Sequence, residues 1–198
     1  MNYANEIVAS ICTIKEMLID RGIEETELEP LSDISDDKLE DIVSSNVFKI
    51  DLDNNMVVYF DLSQKFKWAT LKSQIESDFG DDVDDKHFII VIKSAINSTD
   101  LKKLNIQNGI TYTIEWFSMQ ELQFNISRHE LVPKHTLIKD EEEISKILSK
   151  YQVRKTQLPL ILKTEPMARY LYAKPGQIVK ILRISPTAGL TIVYRCVV

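Results

Sequence analysis

Gly176-Gln177-Ile178-Val179-Lys180-Ile181-Leu182-Arg183-Ile184 runs into Ser185-Pro186-Thr187-Ala188-Gly189 and continues as Leu190-Thr191-Ile192-Val193-Tyr194-Arg195-Cys196-Val197-Val198. Two runs rich in β-branched residues around a Pro/Gly turn read as paired strands, Ile178 to Ile184 and Leu190 to Val198. Both are too apolar for clean alternation. Both faces are therefore expected to be covered, by helices or by a partner.

Upstream of the hairpin, Lys174-Pro175-Gly176 reads as a turn. Glu165-Pro166 opens a short helix, with Pro166 suited to the first helical position. Leu158-Pro159-Leu160-Ile161 is extended, because Pro159 disfavours helix before it. Asp140-Glu141-Glu142-Glu143 places acids at the start of a helix whose inner face is Ile144, Ile147, Leu148 and Tyr151. These elements make a small α/β domain over 128–198, with a short sheet and two or three helices. Glu130-Leu131-Val132-Pro133 is the link into it.

Residues 1–127 read as a second α/β domain with a central mixed sheet. Ala4 to Arg21 is an amphipathic helix, with Ile7, Val8, Ile11, Ile14, Met17 and Leu18 at helical spacing and Gly22 as its stop. Glu24 to Ser32 is an acidic loop, and a second helix starts at Ser35 with Leu39, Ile42 and Val43 inward. Val47 to Leu52 and Met56 to Leu62 form a hairpin around Asp53-Asn54-Asn55. Trp68, Leu71, Ile75 and Phe79 mark a helix ending at Gly80, followed by the charged loop Asp81 to Asp85. His87 to Lys93 is a strand buried on both faces. Ser98 caps a helix carrying Leu101 and Leu104. Thr111 to Phe117 and Gln123 to Arg128 are further strands.

Charge separates the two halves. From Lys134 onward there are 12 Lys and Arg against 5 Asp and Glu, net +7, and the residues before it carry −13. This is either two domains with different partners or two solvated surfaces of opposite bias. No apolar run approaches the length of a membrane helix, and Glu6 interrupts any signal-peptide pattern. Cys12 and Cys196 cannot form a disulfide framework or a zinc site alone. Their apolar neighbours suggest buried free thiols in a reducing compartment.

No catalytic or cofactor signature emerges. His129 and His135 straddle Pro133 at a spacing that is not a helical metal motif, and neither they nor His87 are joined by further ligands. No serine sits in a nucleophile elbow, and five glycines form no phosphate-cradling loop. The aspartates of 81–85 lack EF-hand spacing. A nuclease would need metal-binding acids near a lysine at strand ends, and the central strand His87–Lys93 has no acid of its own. Arg169, Lys180, Arg183 and Arg195 stand out as cations. Arg183 and Arg195 lie within apolar strands, where an unpaired charge is costly. They pair either with acids of this chain or with a partner, while Lys180 can snorkel from the sheet.

Asn125-Ile126-Ser127-Arg128-His129-Glu130-Leu131-Val132-Pro133-Lys134-His135, Gln157-Leu158-Pro159, Ala168-Arg169-Tyr170, Gly176 to Ile181 and Thr187-Ala188-Gly189 follow one another in a set order. Together they resemble the C-terminal part of the fifth, shared subunit of eukaryotic nuclear RNA polymerases, which has a homologue in archaeal RNA polymerase. The resemblance is fainter before Asn125, resting on Thr13 to Met17, Asp20-Arg21-Gly22 and the strand at His87. Ile184 and Pro186 stand where the family has proline and glutamate. Leu190 stands where it has arginine, Tyr172 at a usual glycine, Glu165 at a usual aspartate and Tyr112 at a usual proline. Such divergence suits a protist, or a large DNA virus carrying its own polymerase.

The resemblance implies a non-catalytic subunit of DNA-directed RNA polymerase. The first domain would form part of the jaw near downstream DNA, with a weak duplex contact only inside the complex. The second would dock on the largest subunit, among the other polymerase subunits, through Pro133, His135, Pro159, Arg169, Tyr170, Gly176, Lys180, Arg183, Thr187, Gly189, Tyr194 and Arg195. It implies no cofactor, metal, membrane or small-molecule substrate. The location would be the nucleus, or a cytoplasmic viral factory or virion if virus-encoded. The alternative is a free-standing α/β protein-binding regulator using the same docking domain.

Overall fold

Val47–Asp51 (β1), Met56–Asp61 (β2), His87–Ile92 (β3) and Thr113–Ser118 (β4) assemble in chain order into one sheet in the computed structural model of the chain. β1 is antiparallel to β2, and β2, β3 and β4 run parallel, so the sheet is mixed as expected. The structure describes residues 3–32, 42, 45, 47–52, 55–80, 86–107, 113–185 and 189–198. The chain divides into two compact units, Met1–Phe124 and Asn125–Val198.

Parallel strands covered on both faces need apolar residues at every position, and β3 supplies them: all of Phe88 to Ile92 is buried. Val57, Tyr59, Phe88, Ile90, Ile92 and Ile114 point to one face. Trp68, Leu71 and Ile75 of α3 (Trp68–Phe79) and Leu104 of α4 (Ser98–Gln107) cover them. The one polar atom that Tyr59 brings there is satisfied, its hydroxyl donating to Asp78 Oδ2 at 2.7 Å. The opposite face carries Val58, Phe60, Ile89 and Val91, all fully buried, and by alternation Glu115. Arg21, just past α1 (Tyr3–Asp20), binds Glu115 there, and α1 buries Ile7, Ile11, Ile14, Met17 and Leu18.

Three expectations for residues 1–128 change. The acidic stretch from Glu24 is helical, a 3-10 turn at Glu25–Leu28 running into α2 (Glu29–Ser32). Leu28 and Leu31, three apart, are both buried and give it an inner side. Gln123 to Arg128 is not a strand. Asn125 accepts from the Ser127 N–H at 2.9 Å, which closes a 3-10 turn at Ile126–Arg128 instead of a ladder. Cys12 is exposed on α1, while Cys196 is buried as expected. The helix expected from Ser35, the 81–85 loop and the start of the strand expected from Thr111 lie outside the described residues.

The second unit is built on the sheet β5-β7-β8-β6, made by Lys134–Ile138 (β5), Leu160–Ile161 (β6), Ile178–Ser185 (β7) and Gly189–Val197 (β8). Only β6 runs parallel to its neighbour. α5 (Glu141–Tyr151) is capped by Asp140, which accepts from the Glu142 N–H, and three glutamates occupy its positive end. It packs Ile144 and Ile147 on Ile138, Ile178 and Cys196. α6 (Pro166–Tyr170) has its proline in the first turn and packs Ala168 on the other face, against Ile161, Val179, Ile181 and Val197. The unit thus has its own core on both sides of the sheet.

Candidate docking surface

Gly176 and Gly189 set the ends of the hairpin. Gly176 sits at φ +87 and donates its N–H to the Val197 carbonyl at 2.9 Å, and Gly189 opens β8 at φ +65. A side chain at either position would be strained. Between them the register pairs Ile178 with Cys196, Lys180 with Tyr194, Leu182 with Ile192, and Ile184 with Leu190. The helices cover only the near end. Ile184 is 81% exposed, Leu190 64% and Ile192 43%. The expectation of cover by helices or by a partner is met by the helices in the near half, and in the far half no described residue of this unit covers Ile184 or Leu190.

The residues expected to dock fall into two groups. Tyr170 is buried, its hydroxyl 3.3 Å from Ser127 Oγ, and ties α6 to the turn at Ile126–Arg128. Tyr194 is half-buried under α5, edge-on to Tyr151 with ring centroids 5.9 Å apart. The Pro159 carbonyl accepts from the Cys196 N–H, which fixes β6 beside β8. The Pro133 carbonyl accepts from His135 Nδ1 at 2.6 Å, so this ring carries its proton on Nδ1. These groups, with the two glycines, hold the elements of the unit together; Tyr170 is buried, Pro133, His135 and Tyr194 are half-buried, and Pro159, Gly176 and Gly189 are exposed. Arg169, on α6, is half-buried.

Lys180, Arg183 and Arg195 are the cations that face outward, to different degrees. Arg183 is exposed, so its place in an apolar strand carries no burial cost, contrary to expectation: it lies on the half of the hairpin that no helix of this unit covers among the described residues. Arg195 is half-buried and pairs with no acid among the described residues. Its Nη1 donates to the Leu160 carbonyl at 3.3 Å, and its Nε is buried without a hydrogen-bond partner. Burial lowers the His135 pKa. The Pro133 carbonyl opposes that shift, and the nearby Arg195 charge adds to it. Thr187 lies outside the described residues.

Sequence reasoning expected cover over the hairpin, by helices or by a partner, and did not tell that Ile184, Leu190 and Ile192 are the part left exposed. The signal was the failure of polar alternation, taken to mean cover on both sides. Among the described residues no group of three or more His, Cys, Asp or Glu could hold a metal ion.

The chain is similar to known proteins over this unit and beyond it. Residues 124–197 match the family model described as RNA polymerase Rpb5, C-terminal domain. The "DNA-directed RNA polymerases I, II, and III subunit RPABC1" of Caenorhabditis elegans is 34% identical over 145 residues, 73% of this chain and 67% of that protein. The subunit of the same description in Dictyostelium discoideum is 46% identical over 83 residues, 42% of each chain. The "DNA-directed RNA polymerase subunit Rpo5" of Thermofilum pendens is 45% identical over 75 residues, 38% of this chain and 92% of that protein.

Proposed function

The chain belongs to the RNA polymerase Rpb5 family, and on that premise we propose that it is a non-catalytic subunit of a DNA-directed RNA polymerase, acting in DNA-templated transcription. The observation that carries this reading is the archaeal relative. A 75-residue match is 92% of that subunit's length. We read the matched stretch as the second unit of this chain, so this module is enough on its own to make a polymerase subunit. Residues 128–198 are then the docking domain, and 1–127 are the jaw domain added to it.

The largest subunit is the proposed seat of the docking domain, with other polymerase subunits nearby. The exposed tip supports this reading. Burying a side chain such as Ile184 or Leu190 contributes about 1.5–3 kcal/mol, and no described residue of this unit does so. Arg183 and Lys180 flank the tip and supply charge for orientation. The jaw domain touches downstream duplex only weakly, and only in the assembled enzyme. Catalysis resides in the large subunits, and this chain brings no active site of its own. The nucleus is the location that goes with a eukaryotic assembly. A virus-encoded copy would work in a cytoplasmic factory or a virion.

Affinity purification of the tagged full-length chain from cells that make it tests this. The large polymerase chains are expected in stoichiometric amount. A chain that purifies without them overturns the reading and favours a free-standing regulator. Metal-dependent cleavage of DNA by the pure protein would overturn the non-catalytic assignment.

A further inference from the structure

On its α5 side the second sheet is fully covered where Ile138, Ile178 and Cys196 meet the helix, and Tyr194 is covered in part. Alternation puts three more rungs on that face: Thr136, Lys180 and Tyr194; then Lys134, Leu182 and Ile192; then Ile184 and Leu190. Tyr151 closes over Tyr194. What remains is a groove of about 480 Å³, with Leu182 and Ile192 as its floor. Lys134 and Lys180 stand on the sheet side, and Asp140 and Glu143 on the side of α5. The floor continues into the exposed pair Ile184 and Leu190.

The charges of the rim are not equivalent. Asp140 caps α5 and Glu143 lies in its first turn, so the positive helix end already serves both carboxylates. Lys134 and Lys180 pair with no carboxylate among the described residues. The unmet demand of the groove is therefore apolar along the floor and anionic at its sheet-side rim. Nucleic acid suits it poorly, because the floor is aliphatic and two carboxylates line one wall.

We infer that this groove receives an acidic, amphipathic segment of another polymerase subunit. Its apolar side chains lie on Leu182, Ile184, Leu190 and Ile192, and its carboxylates on Lys134 and Lys180. The inference rests on the reading of the chain as a polymerase subunit, and it adds which face is occupied and by what chemistry.

The test uses the intact chain assembled in the polymerase, with p-benzoylphenylalanine in place of Ile192. Photocrosslinking and peptide mass spectrometry are expected to return a segment of another subunit that alternates apolar residues with at least two Asp or Glu. A segment without acids, a crosslink to a second copy of this chain, or no crosslink in a retained complex would overturn the inference. In parallel, the double variant Lys134→Glu with Lys180→Glu should retain about tenfold less polymerase than the wild type, with the double Gln variant in between. Its melting temperature should not move, which separates lost docking from lost folding. Equal retention by all three overturns the inference alone. A wild-type chain that retains no polymerase overturns the subunit reading as well.

Discussion

Arg21 and Glu115 lie 94 residues apart and meet through two hydrogen bonds of 2.8 Å, both side chains only 8% exposed. His87 Nε2 is 2.6 Å from the same carboxylate. Burial by itself would raise the Glu115 carboxyl, but the His87 hydrogen bond and the Arg21 charge together outweigh it and hold the pKa below the usual range. The group that joins α1 to β4 is thus a charge buried with its partners.

Removing one partner of such a group strands the other. Arg21→Ala is expected to cost on the order of 3 kcal/mol, read as a lower urea midpoint at unchanged slope. The pH dependence has a definite sign. A carboxyl whose folded pKa is depressed gives stability that is complete above its unfolded value of 4.5 and is lost as pH falls below that. Glu115→Gln should therefore be less acid-labile than the wild type relative to its own stability at pH 7. An unchanged acid limb would show that Glu115 is not its source.

Tyr172 follows α6 at φ +50, a conformation that costs a residue with a Cβ about 1–2 kcal/mol. Glycine removes that strain but loses more freedom on folding, roughly 0.5–1 kcal/mol. It also gives up the contact of Lys174 over the ring, 5.2 Å from its centroid. Tyr172→Gly is expected to stabilise by about 0.5 kcal/mol on this balance. Tyr172→Ala keeps the strain and loses the ring, so it should destabilise. Thermal melting of both variants checks the contrast, and a more stable Ala than Gly variant would remove strain as the explanation.

Sequence alone made this position legible, because a tyrosine stood at a usual glycine. It also gave the apolar run of β3, the amphipathic α1 and the acidic start of α5, where local pattern and tertiary role agree. β5 was not seen. Lys134-His135-Thr136 are polar because β5 is an edge strand, and only Leu137 and Ile138 pack against the core clusters. Gln123 to Arg128 alternates like a strand, yet one side-chain bond from Asn125 turns it. The tip was half legible: an all-apolar hairpin tells that something covers it, and only the packed fold tells which half the described residues of this unit leave open.

His135 tests the second unit in solution. Its pKa is lowered by burial and by the Arg195 charge, against the Pro133 carbonyl. The folded state therefore prefers the neutral ring. Its contribution is complete above the unfolded value of 6.5 and is lost as pH falls below that. The ring proton resonances in NMR should titrate with a midpoint below 6.5. Arg195→Gln should move that midpoint upward by removing a nearby positive charge. A midpoint above 6.5 in the wild type would contradict the placement of the ring.

The remaining prediction concerns DNA. The residues before Lys134 carry −13, and duplex affinity comes mostly from neutralising phosphates. Lys65, Lys67, Lys102 and Lys103 are exposed, but Lys72 lies 3.5 Å from Glu76. Scattered cations such as these, outnumbered by acids, cannot hold a polyanion that the domain as a whole repels. Inside the polymerase the large subunits hold the duplex, so a weak contact gains from a high effective concentration. The isolated chain should accordingly bind a fluorescein-labelled duplex with a dissociation constant weaker than roughly 100 μM near physiological salt. Deleting residues 1–127 from the assembled enzyme should still shorten the lifetime of the downstream DNA contact. Micromolar binding by the free chain in fluorescence anisotropy would mean that its acidic half carries a nucleic-acid site of its own, and an unchanged lifetime in the deleted enzyme would remove the jaw contact altogether.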